Sequence, residues 1–391
     1  MTAFRATPVS RITNEILRRI FSLTYDEWTY GFGPHSELQN FALVNKRWHS
    51  VALLELYTHV YIGYQYREEA WQGHQQFHST LQCNPLLAST VRSIWYTLAE
   101  CDAEENETEI LAKALSLCKN LVRFVARGWH YERESLIDAL SASKKLQTVD
   151  LSLHGFDIGD ESEPFCSVSR FFSMLQGWPE IQHVVIESST ISADADDEES
   201  DLDANSDSDV STAIACPSLR RFDFPSESML DSHLTTLSHI APSITHLTLD
   251  ISNISDDSLL SALECWRNSL ESLSLDEQDR QTLTDYYPKI NTCIASLPNL
   301  HTLDVNWVYV SPKSFSRGKF PELSTFSFRM RSEDLVPLTD ALRDTDCLSS
   351  LRTFELRRSN RIGAKDVCDA KLVQSLLLAC KQRGLECDVE I

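Results

Sequence analysis

Residue types able to do covalent or metal chemistry are present in this 391-residue chain, but their spacing builds no catalytic motif. No phosphate-binding Gly-x-x-x-x-Gly-Lys loop, His-Glu-x-x-His zinc pair, Gly-x-Ser-x-Gly nucleophile turn or dinucleotide glycine fingerprint occurs. Eleven cysteines are scattered singly from Cys83 to Cys387 without a Cys-x-x-Cys pair, and the twelve histidines form no metal-spaced cluster with them. Their odd number and even scatter read as free thiols in a reducing compartment. A Ser/His/Asp constellation is possible by composition, but no spacing singles one out. The expectation is a chain that is not an enzyme, with no catalytic residue, no metal and no cofactor.

A spacing of another kind does recur. An apolar residue, two others, an apolar residue, one other and an apolar residue return about ten times, from Val91-Arg-Ser-Ile94-Trp-Tyr96 to Leu351-Arg-Thr-Phe354-Glu-Leu356. Most intervals are roughly 23 to 38 residues. Intermediate copies include Ile244-Thr-His-Leu247-Thr-Leu249 and Leu270-Glu-Ser-Leu273-Ser-Leu275. The last two apolar positions alternate with polar ones, so each block is expected to form a short strand with one buried face. The residues between and after them share the other face. There the middle blocks carry Asp223, Asp250, Asp276 and Asp304, and the outer blocks carry Arg127, Arg329 and Arg357. With strands about 4.8 Å apart, these carboxylates would create a shared negative field for a basic target segment. The arginines would accept acidic groups flanking it.

The elements that must hold this face can be read between the blocks. Apolar residues return there at helical spacing, as in Ile110, Leu111, Ala114, Leu115 and Cys118. Leu259, Leu260, Leu263 and Trp266 form a second such set, and Val373, Leu376, Leu377 and Cys380 a third. Asp256 or Asp257 is placed to cap the second of these helices. Pro217-Ser-Leu219 and Pro298-Asn-Leu300 end helices and lead into extended chain. Alternating strands and helices fit either stacked strand–helix repeats or a doubly wound single-core sheet, and ten near-identical strand signals favour the repeats. The pattern resembles the leucine-rich repeat family over residues 91–391. That resemblance implies a horseshoe, and an irregular one, because Ser252 and Val308 stand where the family carries Asn or Cys.

Length gives a prior of two or three domains and a core that needs no disulfide staples. The formal net charge of −22 argues against nucleic acid and anionic membranes as partners. No apolar run approaches the ~18 residues of a membrane span, and the first residues do not read as a signal peptide. A soluble protein of the cytoplasm and/or nucleus is expected. Residues 191–212 hold nine acidic and no basic residues, and are expected to be a disordered insertion between repeats.

The N-terminal segment has a different pattern. Ile12, Ile16, Leu17, Ile20 and Phe21 give an apolar helical face that Thr13 can cap. A polar stretch from Tyr25 to Glu37 follows. A second helical pattern holds Leu38, Phe41, Ala42, Val44 and Trp48, and continues through Val51, Ala52, Leu53 and Leu56 toward Tyr57 and Val60. Glu15-Ile16-Leu17, Ile20-Phe21, Ala42-Leu43-Val44-Asn45-Lys46-Arg47-Trp48 and Leu56-Tyr57 together resemble an F-box. Thr13 stands where that family has Pro, and the Tyr25–Glu37 loop is longer than usual. The resemblance implies a three-helix module that docks a Skp-type adaptor, and through it a cullin. It also implies Ile12, Ile16, Leu17, Ile20, Leu38, Val44 and Trp48 as adaptor-binding residues.

The expected architecture is an α+β multidomain chain. An F-box-like helical module spans 1–62, a helical linker with Trp71, Phe77 and Leu81 on one side spans 63–90, and an α/β leucine-rich-repeat-like solenoid spans 91–391. The expected function is substrate recognition for a cullin–RING ubiquitin ligase, with an unidentified target protein on the repeats. A leucine-rich-repeat scaffold with no ligase role stands as the alternative.

Overall fold

The computed structural model describes residues 12–23, 35–62, 67–97, 107–129, 133–152, 164–187, 190–193, 215–276, 288–306, 310, 315, 320–330, 335–344, 346, 348–358 and 370–390. The chain divides into two compact units, Met1–Ile158 and Gly159–Ile391.

The first unit opens with three helices, α1 (Asn14–Ser22), α2 (His35–Ala42) and α3 (Lys46–Thr58). Thr13 is extended and its hydroxyl accepts from the Ile16 N–H, which starts α1. Asn45 starts α3 in the same way, its Oδ1 accepting from Arg47 and Trp48 N–H at 3.0 Å each. The helices close on Leu17, Phe21, Leu38, Val51 and Ala52, with Ile12, Phe41, Ala42, Trp48 and Leu56 packed around them. Phe21 stacks on Phe41 at 4.8 Å, and Trp48 meets both rings edge-on. Polar ties fix the helix angles: Arg47 donates to Asn14 Oδ1 at 2.7 Å and to the Ile12 carbonyl, and Arg18 pairs with buried Glu55 at 3.0 Å.

The unit continues through β1 (His59–Ile62), α4 (Arg67–Cys83), α5 (Pro85–Thr90), β2 (Ser93–Thr97), α6 (Glu107–Leu117), β3 (Arg123–Arg127), α7 (Glu134–Ser141) and β4 (Thr148–Ser152). Its strands pair in parallel in chain order. Helices α4 and α5 occupy the span read as a helical bridge, and Phe77 and Leu81, read as sharing one side, are both buried. The Trp71 side chain lies outside the described residues. Val60 was expected to prolong the helical pattern, but helix α3 stops at Thr58. The run Val60-Tyr61-Ile62 is β-branched and aromatic, and it pairs with β2 instead.

The second unit comprises β5 (Cys166–Ser167), α8 (Val168–Gln176), β6 (His183–Ile186), β7 (Ile191–Ser192), β8 (Arg221–Phe224), α9 (Asp231–Ile240), β9 (His246–Asp250) and α10 (Asp256–Cys265). It goes on through β10 (Ser272–Asp276), α11 (Pro288–Ile294), β11 (Thr302–Asn306), β12 (Thr325–Met330), α12 (Leu335–Arg343), β13 (Thr353–Arg358), α13 (Ala370–Arg383) and β14 (Glu386–Glu390). The strands from β8 to β14 pair in parallel in strict chain order, β6 pairs with β8, and β5 pairs with β7 apart from them. A doubly wound sheet reverses its strand order at a switch point, and neither unit does. Each of the ten sequence blocks forms a parallel strand, and in every block the three apolar residues are buried.

Three local expectations change. Ser255, not Asp256 or Asp257, caps α10 by accepting from the Ser258 N–H, and the two carboxylates sit in the first turn. Leu377, read with the buried face of α13, is exposed. Ile191–Ser192, read as the start of the acidic insertion, forms β7, and Ile191 is buried. Residues 194–212 of that insertion lie outside the described residues.

Candidate functional site

Helix α1 carries two apolar stripes. Leu17 and Phe21 point into the core, while Ile16, Ile20 and Leu23 are exposed on the other side. The turn between α2 and α3 adds Leu43 and Val44, held outward by the bonds from Leu43 N–H to Asn40 O and Val44 N–H to Phe41 O. Of the residues assigned to the adaptor by resemblance, Ile16, Ile20 and Val44 thus present free apolar surface. Ile12 and Trp48 are half-buried against the core. Leu17 and Leu38 are completely buried and can only support the surface from beneath. Leu23 and Leu43, which the resemblance did not assign, are exposed as well. Leu43 lies in a turn, where helical period says nothing about direction, although it stands inside the F-box-like motif.

The exposed strand positions tell a second story. Each acidic residue expected to contribute to a negative field is already engaged. Arg329 on β12 reaches past β11 to pair with Asp276 on β10. Arg357 on β13 reaches past β12 to Asp304 on β11 at 3.7 Å, while also holding Glu355 at 2.8 Å. Asp223 accepts from Arg221 at 2.6 Å and from the Thr248 hydroxyl at 2.8 Å. Asp250 is completely buried and accepts from the Ser252 N–H and hydroxyl at 2.8 and 2.6 Å. In the first unit, Arg127 pairs with Asp150 at 3.3 Å and donates to Ser152. Asp276 and Asp304 are thus matched by arginines across strands, Asp223 by an arginine on its own strand, and Asp250 is withdrawn into the interior, so the outward field is weaker than the bare count of carboxylates implies. Asp250 and Asp276 do come together at paired register positions, but one is inside and the other carries its own guanidinium.

Among the described residues, one histidine and three cysteines have environments that suit structure. His233 Nε2 lies 3.4 Å from Ser169 Oγ. Its Nδ1 accepts from the Leu230 N–H at 3.2 Å at the start of α9, which leaves the ring proton on Nε2. An Nε2–H donates to the serine and cannot take its proton. Burial pushes the Cys118 and Cys216 thiols up to about 12 and Cys293 to about 11, where little thiolate exists at neutral pH.

No protein-family model matches the chain, and no curated protein matches it. Among solved structures, 96% of this chain is similar to 92% of a chain in the crystal structure of the Rad7 and Elc1 complex in yeast, at 12% identity and a TM-score of 0.46. A further 70% match covers 31% of a chain in the TLR13–ssRNA13 complex, at 16% identity and a TM-score of 0.31. At these scores neither likeness bears on what this chain binds.

Proposed function

We propose that the chain is the substrate-recognition subunit of an SCF-type cullin–RING ubiquitin ligase. In this reading the N-terminal helices are an F-box that docks a Skp-type adaptor, and the repeat strands bind the target protein. The observation that supports it most is the exposed apolar surface of Ile16, Ile20, Leu23, Leu43 and Val44 on a module whose small core is already filled from within. Exposed apolar side chains at two places on an F-box-like sequence, the outer stripe of α1 and the α2–α3 turn, call for a covering partner. The chain contributes no nucleophile and no cofactor. Its part is to hold a target lysine close to ubiquitin carried by another subunit, which raises the local concentration of the reacting groups. A reducing cytoplasm and/or nucleus suits its free thiols.

The test is co-purification of a Skp-type adaptor with the full chain at micromolar concentration. The wild type should retain the adaptor, and Leu43→Asp combined with Val44→Asp should release it while preserving the circular dichroism spectrum. Failure of the wild type to retain any adaptor removes the ligase reading and leaves the scaffold reading.

A further inference from the structure

A different cluster stands on the strands of the first unit. Tyr61 on β1 and Trp95 on β2 occupy paired register positions, with ring centroids 6.4 Å apart. The β3 partner of Trp95 is Val125, and Arg123 and Arg127 lie two residues to either side of it on the same strand face. Both guanidiniums lean over the Trp95 ring, Arg123 at 5.8 Å and Arg127 at 5.9 Å from its centroid. Tyr61 and Trp95 are half-buried and Arg123 is exposed. Arg127 is tied to Asp150, whereas Arg123 has no ion pair with a carboxylate among the described residues.

This cluster differs from the ladder of the second unit in sign and in kind. There, most carboxylates are matched by arginines; here one carboxylate is set against two guanidiniums, and an aromatic pair lies on the neighbouring strands beside them. Trp, Tyr and Arg are the side chains that dominate binding energy at protein interfaces. A guanidinium already resting on a ring has less freedom left to lose when an anion arrives. We infer that this face docks an extended acidic segment of a partner protein, with a carboxylate meeting Arg123 and a neighbouring apolar or aromatic side chain laid on Tyr61 and Trp95. That the partner is a ligase target rests on the function proposed above; the docking chemistry does not. A nucleic acid would also find cations and rings here, but a polyanion must enter the field of a chain with net charge −22. A segment with one or two carboxylates is governed by the local arginines, because salt screens the distant charges.

The experiment selects random twelve-residue peptides displayed on phage against the full chain, with Trp95→Ala and Arg123→Glu chains as counter-targets. Peptides retained by the wild type should share Asp or Glu beside an apolar or aromatic residue. The best of them, synthesised, should bind each variant at least about tenfold more weakly and weaken as salt rises. Absence of enrichment, a basic or uncharged consensus, equal binding to the variants, or tighter binding of a ten-nucleotide uridine RNA at this face would overturn the inference. Should Trp95→Ala fail to fold, Arg123→Glu at its exposed position decides the matter alone. Adaptor retention is measured on the same preparations. Adaptor kept without peptide binding defeats this inference and spares the receptor reading, and peptide binding without adaptor does the reverse.

Discussion

Neighbouring residues of α1 should respond in opposite ways to the same truncation. Leu17 is completely buried among Phe21, Leu38, Val51 and Ala52, so Leu17→Ala should cost about 2–5 kcal/mol of stability. Ile16 is 52% exposed, and Ile16→Ala should change stability by no more than about 0.5 kcal/mol. Adaptor binding should rank differently. Ile→Ala removes three carbons, worth about 0.8 kcal/mol each if fully covered by the partner, or about 2.4 kcal/mol in all. With about half of the side chain available to be covered, the loss is about 1.2 kcal/mol, roughly eightfold in Kd. Leu43 is 83% exposed, and the same arithmetic gives about 2 kcal/mol, roughly thirtyfold. Urea denaturation reports the first quantity, and calorimetric titration of the full chain with a Skp-type adaptor reports the second. The reasoning fails if Ile16→Ala destabilises the chain as much as Leu17→Ala, or if neither Ile16→Ala nor Leu43→Ala weakens the adaptor complex.

Other outcomes follow from the second unit and from β1. Asp250→Ala should lower stability by about 1.5–3 kcal/mol, because it strips a buried carboxylate from two donors; a neutral result in denaturant titration would show that Ser252 is satisfied otherwise. Arg329→Ala should cost about 1 kcal/mol or less, since both partners of the Asp276 pair are partly exposed, and the difference from wild type should shrink in high salt. His59 is held below its ordinary 6.5 by burial, with Arg123 and Arg18 adding to the effect and Glu55 opposing it. The unfolded chain therefore binds the extra proton first, and the contribution of His59 is complete above 6.5 and lost as pH falls through the lower folded value. The urea midpoint should drop between pH 7 and pH 5, and His59→Gln should flatten that drop; an unchanged pH slope in the variant would remove His59 as its source.

The strands were the most legible feature of the chain. A block such as Leu270-Glu-Ser-Leu273-Ser-Leu275 can bury its apolar residues together only if the last two alternate on one face, and β10 does this. The flanking strands β1 and β14 were not legible. Val60 continues the apolar helical spacing of α3, and nothing local reveals that Ile62 will pair with Tyr96. On α1 the apolar residues form two stripes, and periodicity alone does not say which one meets α2 and α3. The pairing within the charge ladder was not legible, because side chains meet across strands that lie far apart in sequence. Arg329 and Asp276 are 53 residues apart, and their meeting depends on the register of three strands. The Trp95 cluster escaped for the same reason, since Tyr61 and the two arginines come from separate strands.

The proposed function requires that the exposed apolar residues of α1 and of the α2–α3 turn join this chain to a ubiquitin-ligase core. Its most direct test is the mass, by light scattering after size exclusion, of the full chain mixed with a Skp-type adaptor and a cullin. The account predicts one species containing one copy of each. It also predicts that Ile16→Asp with Leu43→Asp leaves the 44.5 kDa chain eluting by itself as a folded monomer. Separate elution of the wild-type chain from an intact adaptor–cullin complex would contradict it.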